Sequence, residues 1–157
     1  MRIREADEGD AAAVAALWTE AYADAGPEGR QEPYALQEYF AVAATAHVTV
    51  AVDDEEVVAV AALFPPGAPG RSVAGPGEAE FARLAVADRA RRRGIGRALV
   101  LGATEQARGL GAEAVVLWSR PYQTAAHALY ESLGWRRVAE RDEDDRDGRR
   151  WVFILGL

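Results

Sequence analysis

The sequence predicts an α/β fold, in which helices pack on the faces of a β-sheet. Three observations support this prediction. Segments of helical and of strand periodicity alternate along the chain, no repeat or linker divides it, and a length of 157 residues suits a single domain. Half of the residues are apolar and 27% are charged, as in ordinary globular domains. We therefore expect one α/β domain over residues 1–157.

The first half of the chain is predicted to contain a strand, two helices and a hairpin. Residues 2–6 fit a short strand, Asp10 suits a helix N-cap, and the Gly-Pro-Glu-Gly run at 26–29 ends that first helix. Val48, Val50 and Val52 recur at every second position and residues 57–64 are apolar throughout, which predicts a hairpin with a buried second strand. The two helices place apolar residues at helical spacing: Val14, Leu17, Trp18 and Ala21, then Leu36, Tyr39, Phe40 and Ala43.

The second half is predicted to alternate strands with helices. Residues 65–77 include four prolines and four glycines and form a long loop, and strands follow at residues 80–86 and 114–118. Two last strands, near residues 135–140 and 149–155, flank an acidic turn. The helices between these strands are marked by apolar positions: Ile95, Leu99, Ala103 and Leu110, then Ala126, Leu129, Tyr130 and Leu133 before Gly134.

Composition excludes several classes of function. The chain has no cysteine, which excludes disulfides, a thiolate nucleophile and a cysteine-based zinc site. With only His47 and His127 available, we expect no histidine-based metal site either. The charged start of the chain is unlike a secretion signal, and the longest apolar run, residues 57–64, is too short to cross a bilayer. A cytoplasmic protein without a membrane partner is the expectation.

The charge distribution points to a small anionic ligand. The formal net charge is −7, yet five arginines fall within nine residues, and the rest of the chain without those five charges carries −12. An acidic protein is not expected to bind nucleic acid, whereas one dense basic segment suits a phosphate group. The five are Arg89, Arg91, Arg92, Arg93 and Arg97.

The basic segment also has the layout of a pyrophosphate site. It lies between a predicted strand and a predicted helix, whose first N–H groups have no partner within the helix and carry the positive end of the helix dipole. Gly94 and Gly96 have no side chains, so a phosphate can approach these amides closely. Neither common nucleotide motif fits, because Leu99 stands where a Rossmann fingerprint needs a third small residue and no Gly-Lys pair forms a P-loop.

The run Arg91-Arg92-Arg93-Gly94-Ile95-Gly96 resembles the signature of the GCN5-related N-acetyltransferase (GNAT) family: Gln or Arg, two residues, Gly, one residue, then Gly or Ala. A second family segment, Leu-Tyr before Gly-aromatic, is similar to residues 129–135. The resemblance covers nearly the whole chain. It implies a GNAT-like fold over residues 1–157, with a mixed, mostly antiparallel central sheet flanked by about four helices.

The resemblance also implies a function. It indicates direct transfer of an acetyl group from acetyl-CoA to a small-molecule or peptide amine in a ternary complex, without a metal. Residues on the matching positions are expected to hold the cofactor: Leu84, Ala85, Val86, Arg91, Arg92, Arg93, Gly94, Ile95, Gly96, Arg97 and Gln123. Among these, the Val86 N–H is expected to meet the thioester carbonyl. Gln123 stands where the family often has an asparagine that contacts the pantetheine arm.

Two residues are predicted to be catalytic by the same resemblance. Tyr130 is the candidate acid for the departing thiolate; alternatively it is a core phenol. Glu80, fourteen residues before Gly94, is the candidate base; alternatively it is a salt-bridged carboxylate. On a regular strand, Glu80 would share a face with Leu84 and Val86, about 20 Å from Val86 at ~3.3 Å per residue. His127, one turn before Tyr130, is predicted to be a surface histidine without a catalytic role.

The nature of the acceptor is the least determined part of the prediction. The acidic residues 140–145, and the formal charge of −12 that the chain carries without its five clustered arginines, favour a small cationic amine. Trp18, Tyr22, Tyr34 and Tyr39 are predicted to be core residues for the most part, with one or two lining the acceptor groove. Two alternatives stay open: a non-catalytic acyl-CoA-binding regulatory domain of the same fold, and a dinucleotide-binding oxidoreductase. Homodimers are frequent in the family, and no residue pattern here decides the oligomeric state.

Overall fold

The structure is a computed structural model that describes residues 1–23 and 33–157. Within these ranges four α-helices flank an eight-stranded mixed sheet. The α-helices are α1 (Ala11–Ala23), α2 (Leu36–Ala43), α3 (Ile95–Gly109) and α4 (Thr124–Ser132). The strands are β1 (Arg2–Glu5), β2 (His47–Asp53), β3 (Glu56–Phe64), β4 (Glu78–Val86), β5 (Ala114–Ser119), β6 (Arg136–Arg137), β7 (Glu143–Asp145) and β8 (Gly148–Gly156). The predicted α/β fold with a mixed, mostly antiparallel sheet is confirmed.

The sheet has the order β1-β2-β3-β4-β5-β8-β6, with β7 paired to β8. Every strand pair is antiparallel except β4 with β5, which is parallel. The predicted β2–β3 hairpin closes at Asp53 and Glu56, and the two residues between them have positive φ angles of 48° and 64°. Such a left-handed pair matches the twist of the flanking strands. The predicted helix break at residues 26–29 lies outside the described residues.

The hydrophobic core lies on both faces of β3 and β4. Strand β3 is buried from Val58 to Phe64, as its continuous apolar run predicts. Helices α1 and α3 each contact both of these strands and cover opposite faces. Trp18 and Tyr39 are core residues, with exposed fractions of 0% and 2%. No helix in residues 1–23 and 33–157 is both long and apolar enough to cross a membrane.

The C-terminal part differs from the sequence prediction. The strand expected at residues 135–140 is only the two-residue β6, followed by a 3-10 turn at Ala139–Arg141. The reason is that Asp142 accepts the Val152 N–H at 2.9 Å, so a side chain replaces the backbone acceptor that would continue the ladder. The acidic segment expected as a turn contains β7, and the chain reverses between Asp145 and Gly148 instead.

Candidate functional site

The N-terminus of α3 is an open turn with unpartnered amides. Arg92 and Gly94 have left-handed φ angles of 62° and 76°, which direct the chain from the end of β4 into the helix. Gly94 is the N-cap without a side-chain cap, and the first helical hydrogen bond runs from the Ala98 N–H to the Gly94 carbonyl at 3.0 Å. The N–H groups of the first turn therefore face outward, at the positive end of the helix dipole.

The two glycines of this turn have different surroundings. A Cβ built on Gly94 would meet no atom within 4 Å, so the space over this residue is open. A Cβ on Gly96 would lie 3.7 Å from Leu129 and Val86 side-chain atoms and 4.0 Å from Leu84. Gly94 thus leaves room for an anion, whereas Gly96 lies against the cleft between β4 and α4.

Arginines around the turn differ in their pairing. Arg93 is bound to Asp53 at 2.8 Å and Arg91 lies 3.3 Å from Asp88. Arg92 and Arg97 form no ion pair with any residue of the two described ranges, and both side chains are exposed. Two exposed cations are therefore available beside the free amides of α3.

A cleft opens between β4 and β5, directly before this turn. The two strands pair only from Glu78 with Ala114 to Glu80 with Val116. Strand β5 pairs with β8 on its other side along its whole length, and beyond Glu80 the edge of β4 that faces β5 has no strand beside it. Backbone groups on this edge have no strand partner and can bind an extended ligand.

The N–H of Val86 points into the cleft. The Ala87 N–H donates to the Val58 carbonyl on β3 at 2.8 Å. Because successive N–H groups of a strand point to opposite edges, the preceding N–H, that of Val86, points away from β3. Ala85, between Leu84 and Val86, is buried at 3% exposure and pairs with Val60.

A β-bulge interrupts β4 in the middle of the cleft. The register shifts so that Val60 opposes Ala85 but Ala62 opposes Ala82, which leaves Arg83 as the extra residue, with φ of 61°. Two side chains of α1 hold this bulge. The Trp18 indole N–H donates to the Arg83 carbonyl at 3.2 Å, and the Tyr22 hydroxyl donates to the Leu84 carbonyl at 2.7 Å.

Tyr130 lies at the other wall of the cleft. Its ring is enclosed by Phe81, Trp135 and Phe153, with centroids 5.8 to 6.5 Å away. Burial raises the pKa of Tyr130 well above its ordinary value of 10.0. In the described part of the chain, the Trp135 indole N–H is the one fully enclosed side-chain polar atom without a partner. The Tyr130 hydroxyl also forms no hydrogen bond with a residue of the described ranges, but it is not fully enclosed, so it keeps contact with solvent.

Gln123 is the N-cap of α4, and its amide has a fixed orientation. Its Oε1 accepts the Ser119 hydroxyl at 2.9 Å and the Arg120 backbone N–H at 2.7 Å. Because a backbone N–H can only donate, the oxygen must face Arg120. The Nε2 donors have no hydrogen-bond partner among the described residues, so they remain available for a ligand.

His127 is not the surface histidine that the sequence predicts. It is 8% exposed, stacks on Trp151 and Phe153 at centroid distances of 5.4 and 5.1 Å, and lies with Nε2 3.1 Å from the Ser119 hydroxyl oxygen. Since that hydroxyl donates to Gln123, the imidazole Nε2–H donates to Ser119. His127 therefore supports the Gln123 amide, and burial lowers the pKa of its imidazole.

We expect this lowered pKa to make stability depend on pH. The native state favours neutral His127, so below pH ~6.5 the unfolded chain binds the proton more readily and the free energy of unfolding falls. His127→Gln should lose less stability than wild type between pH 7 and pH 5. Urea unfolding at both pH values measures this difference. Equal losses in the two proteins would contradict the buried, neutral state of this imidazole.

Glu80 does not lie where regular strand geometry predicts. Phe81 packs on Tyr130, and after the bulge Leu84 and Val86 lie on this same face beside Gly96. Glu80 therefore points to the opposite face, and the prediction that it shares a face with Leu84 and Val86 is wrong. The extra residue of the bulge, which no spacing rule reveals, is the cause.

The Glu80 carboxylate is enclosed by the loop between β3 and β4. It is 1% exposed, and it accepts the backbone N–H groups of Ser72, Val73 and Ala74 at 2.7 to 3.0 Å. Arg141 joins the same loop by bonds to the Val73 carbonyl and to the Glu78 carboxylate. The proline- and glycine-rich loop is thus fixed to the sheet by carboxylate and guanidinium groups.

The acidic segment is neutralised by arginines. The following pairs lie within 3.4 Å: Arg137 with Asp142, Arg150 with Glu143 and Asp145, Arg149 with Asp144, and Arg120 with Asp145. Arg120 and Arg150 also stack on the Trp118 ring at 4.7 and 4.6 Å. These carboxylates therefore do not form the free negative patch on which the expectation of a cationic acceptor rests.

Sequence reasoning missed three residues of this region. The sequence pattern does not identify Arg83 or Ser119, and it identifies Tyr22 only as one of four aromatic residues of which one or two are expected to line the acceptor groove. The one available signal is that Arg83 is the only positively charged residue of β4, whose other charged residues, Glu78 and Glu80, are acidic. No group of three His, Asp or Glu side chains that could hold a metal ion is found across residues 1–23 and 33–157.

Comparisons with known proteins agree with this geometry. The solved structures with a similar fold include the ribosomal-protein-alanine N-acetyltransferase from Brucella melitensis, at 23% identity and TM-score 0.79, with 100% of both chains covered. A GCN5-related N-acetyltransferase from Kribbella flavida has 24% identity and TM-score 0.78, covering 99% of this chain and 97% of that chain. A phosphinothricin acetyltransferase from Sinorhizobium meliloti, in complex with AcCoA, has 17% identity and TM-score 0.78, covering 99% and 88%.

Sequence comparison identifies the family. A search of curated protein sequences finds no significant match. The sequence profile of the acetyltransferase (GNAT) family, however, matches residues 11–135, which include the α3 turn and Tyr130. This chain belongs to the GNAT family of acetyltransferases.

Proposed function

We propose that this protein transfers an acetyl group from acetyl-CoA to an amine by direct attack in a ternary complex. The observation that carries the proposal is the junction of two features: the open, arginine-flanked turn at the start of α3 and the unpaired edge of β4 beside it. An anion site that adjoins an extended, hydrogen-bonding groove suits a nucleotide pyrophosphate attached to a long amide-containing arm. The Sinorhizobium meliloti neighbour, solved with AcCoA, supports this assignment.

Two groups of residues would hold acetyl-CoA. The pyrophosphate would bind the free amides of α3 and the unpaired Arg92 and Arg97, with Gly94 leaving the approach open. The cleft edge of β4 at Leu84–Val86 would pair with the amides of the arm. The Nε2 donors of Gln123, held in place by Ser119, would bind a carbonyl of the arm from the α4 side. This amide is one methylene longer than the asparagine that the family often has there.

Acetyl transfer has two chemical requirements. A donor must stabilise the negative charge that develops on the thioester carbonyl oxygen, and the sulfur of the departing thiolate must receive a proton. Acetyl-CoA supplies the activated acetyl group as a thioester. The Val86 N–H is the donor placed for the carbonyl oxygen, which gains negative charge as the amine attacks. Tyr130 is the proton donor for the thiolate that leaves when the C–S bond breaks, and its buried phenol stays protonated at neutral pH. The proton released by the amine balances the one that sulfur gains.

We do not assign the role of catalytic base to Glu80. Its oxygens already accept N–H groups from Ser72, Val73 and Ala74, and the loop encloses it. We propose that this carboxylate anchors the loop. A primary amine with a pKa near ~10.4 must lose its proton before attack, and solvent in the cleft can accept it.

The proposal is tested by thermal unfolding with acetyl-CoA, CoA, NADPH and ATP added separately. A ligand that binds only the native state raises the free energy of unfolding by about 2.7 kcal/mol at a hundredfold excess over Kd. We expect acetyl-CoA and CoA to raise the melting temperature and NADPH not to do so. A rise with NADPH alone would instead favour a dinucleotide-binding protein.

Single arginine substitutions test the anion site itself. We expect Arg92→Ala and Arg97→Ala each to weaken acetyl-CoA binding about tenfold in calorimetry, since a charged hydrogen bond to phosphate contributes roughly 1.5–3 kcal/mol. Arg89→Ala is the matched control, because Arg89 lies in the same basic segment but is bound to Glu56 at 2.8 Å. Equal affinities in all variants would place the pyrophosphate elsewhere.

For the acceptor, we propose here only that it is an amine. A cationic acceptor was expected from the acidic residues 140–145, and the arginine pairs of that segment remove the main support for it. The overall negative charge of the chain favours cations only at long range, where salt screens the attraction.

A further inference from the structure

Arg83 occupies a strained position at the centre of the proposed site. A non-glycine residue with φ of 61° in the middle of a strand is uncommon and costs free energy. Its carbonyl is fixed by the Trp18 indole N–H at 3.2 Å. The bulge therefore holds the Arg83 backbone in one geometry, and strain of this kind is concentrated at functional sites.

The Arg83 side chain is ordered but carries an unneutralised charge. Its guanidinium carbon lies 5.2 Å from the Trp18 ring centroid and 5.5 Å from that of Tyr34, and the side chain is partly buried. It forms no ion pair with any residue in the described ranges. Arg120, Arg137 and Arg150 also stack on aromatic rings, but each of them is bound to a carboxylate as well.

Arg83 lies on the face opposite to the proposed cofactor turn. The side chains of Leu84 and Val86 face Gly96 at the start of α3, whereas the Arg83 guanidinium lies over a ring of α1. Arg83 directly precedes Leu84, whose carbonyl accepts the Tyr22 hydroxyl at 2.7 Å in the bulged part of β4. The Arg83 guanidinium therefore lies beside the proposed reaction centre, on the face of β4 opposite to the α3 turn.

We propose that Arg83 binds a carboxylate of the acceptor, so that the substrates are amines that also carry a carboxylate, such as free amino acids. This inference rests on the proposed acetyl transfer. A planar guanidinium binds a carboxylate through two parallel hydrogen bonds, which orient the acceptor as well as attract it. The rings of Trp18 and Tyr34 restrict the guanidinium and leave its outer N–H groups for this contact.

Matched acceptors test the proposal. CoA release is measured with L-leucine, L-leucinamide and isoamylamine, and with L-phenylalanine, L-phenylalaninamide and phenethylamine. We expect kcat/KM to be about tenfold or more higher for the acid than for the amide or the plain amine, as a charge-assisted bidentate contact allows. Arg83→Gln should remove this preference, and Arg83→Lys should keep part of it. Arg89→Gln is the control, because the Arg89 guanidinium is bound to Glu56 at 2.8 Å.

Two results would overturn the proposal. One is equal use of acid, amide and amine by the wild type; the other is an unchanged preference in Arg83→Gln. Melting temperatures with CoA plus N-acetyl-L-leucine or N-acetyl-L-phenylalanine give a readout without turnover, and the rise should be absent in Arg83→Gln. Binding of acetyl-CoA with no CoA release for any amine would instead overturn the proposed acetyl transfer, while Arg83-dependent binding of the acetylated acids would still support this carboxylate site.

Discussion

Replacing Tyr130 by phenylalanine should lower kcat about 100-fold and leave acetyl-CoA affinity within about twofold of wild type. The substitution removes the phenol proton donor, whereas the ring packing on Phe81, Trp135 and Phe153 is kept. Because the hydroxyl has no hydrogen-bond partner in the described part of the chain, its removal leaves no orphaned protein group. Steady-state kinetics and calorimetric titration with acetyl-CoA measure the two effects.

Tyr39→Phe is the matched control for this experiment. The Tyr39 hydroxyl donates to the Asp7 carbonyl at 2.7 Å, far from the cleft, so its loss should cost about 1 kcal/mol of stability without changing kcat. The pH profile gives a further check. Since burial raises the pKa of Tyr130, the acid form persists above the usual tyrosine range, and no Tyr130-dependent fall in kcat should occur up to pH 9.5. Unchanged turnover in Tyr130→Phe would exclude the proton-donor role.

Replacing Glu80 by glutamine should reduce stability more than it reduces catalysis. The carboxylate accepts three backbone N–H groups of the loop, and an amide presents an NH₂ group to one of them. Leaving one buried donor without an acceptor costs roughly 1–3 kcal/mol, so we expect a loss of about 1 to 3 kcal/mol in the free energy of unfolding. Urea unfolding gives this value, and kcat is measured on the fraction that remains folded.

The Glu80→Gln variant also distinguishes between two roles of Glu80, as an anchor of the loop and as a catalytic base. An anchor predicts a lower melting temperature and a kcat within about threefold of wild type in the folded protein. A catalytic base predicts normal stability and a kcat lower by about 10² or more. Glu105→Gln is the control, because Glu105 is a surface carboxylate paired with Arg108 in an exposed i,i+3 contact. A stable but inactive Glu80→Gln would restore the sequence-based prediction of a base.

Most of the fold could be predicted from sequence patterns formed by neighbouring residues. The continuous apolar run of β3 and the Arg-Gly turn before α3 each depend on neighbouring residues, and both are found where the sequence places them. The last part of the sheet could not be predicted in the same way. There Asp142 replaces a backbone acceptor and the acidic residues form β7, which are consequences of tertiary contacts with β8.

The sequence could predict several residues of the candidate site, but not the face of the sheet on which the β4 side chains lie. The apolar spacing predicts the helix that carries Tyr130, and the family resemblance singles out Gln123, which is the N-cap of that helix. The bulge at Arg83 could not be foreseen, because its left-handed conformation depends on Trp18 and Tyr22 of α1, more than sixty residues away along the chain. That single extra residue placed Glu80 on the face opposite to Leu84 and Val86, and it placed the Arg83 guanidinium over the Trp18 ring of α1.

The most direct test of acetyl transfer is the stoichiometry of its two products. The purified protein is incubated with acetyl-CoA and an equimolar mixture of L-amino acids and simple amines, and free CoA and N-acetylated amine are quantified by mass spectrometry. The chain contains no lysine, so acetylation of its own side-chain amines does not obscure the result. We predict equal amounts of CoA and acetylated amine, with CoA release dependent on the amine. Tight binding of acetyl-CoA without amine-dependent release would contradict catalysis and identify a non-catalytic acyl-CoA-binding domain of the same fold.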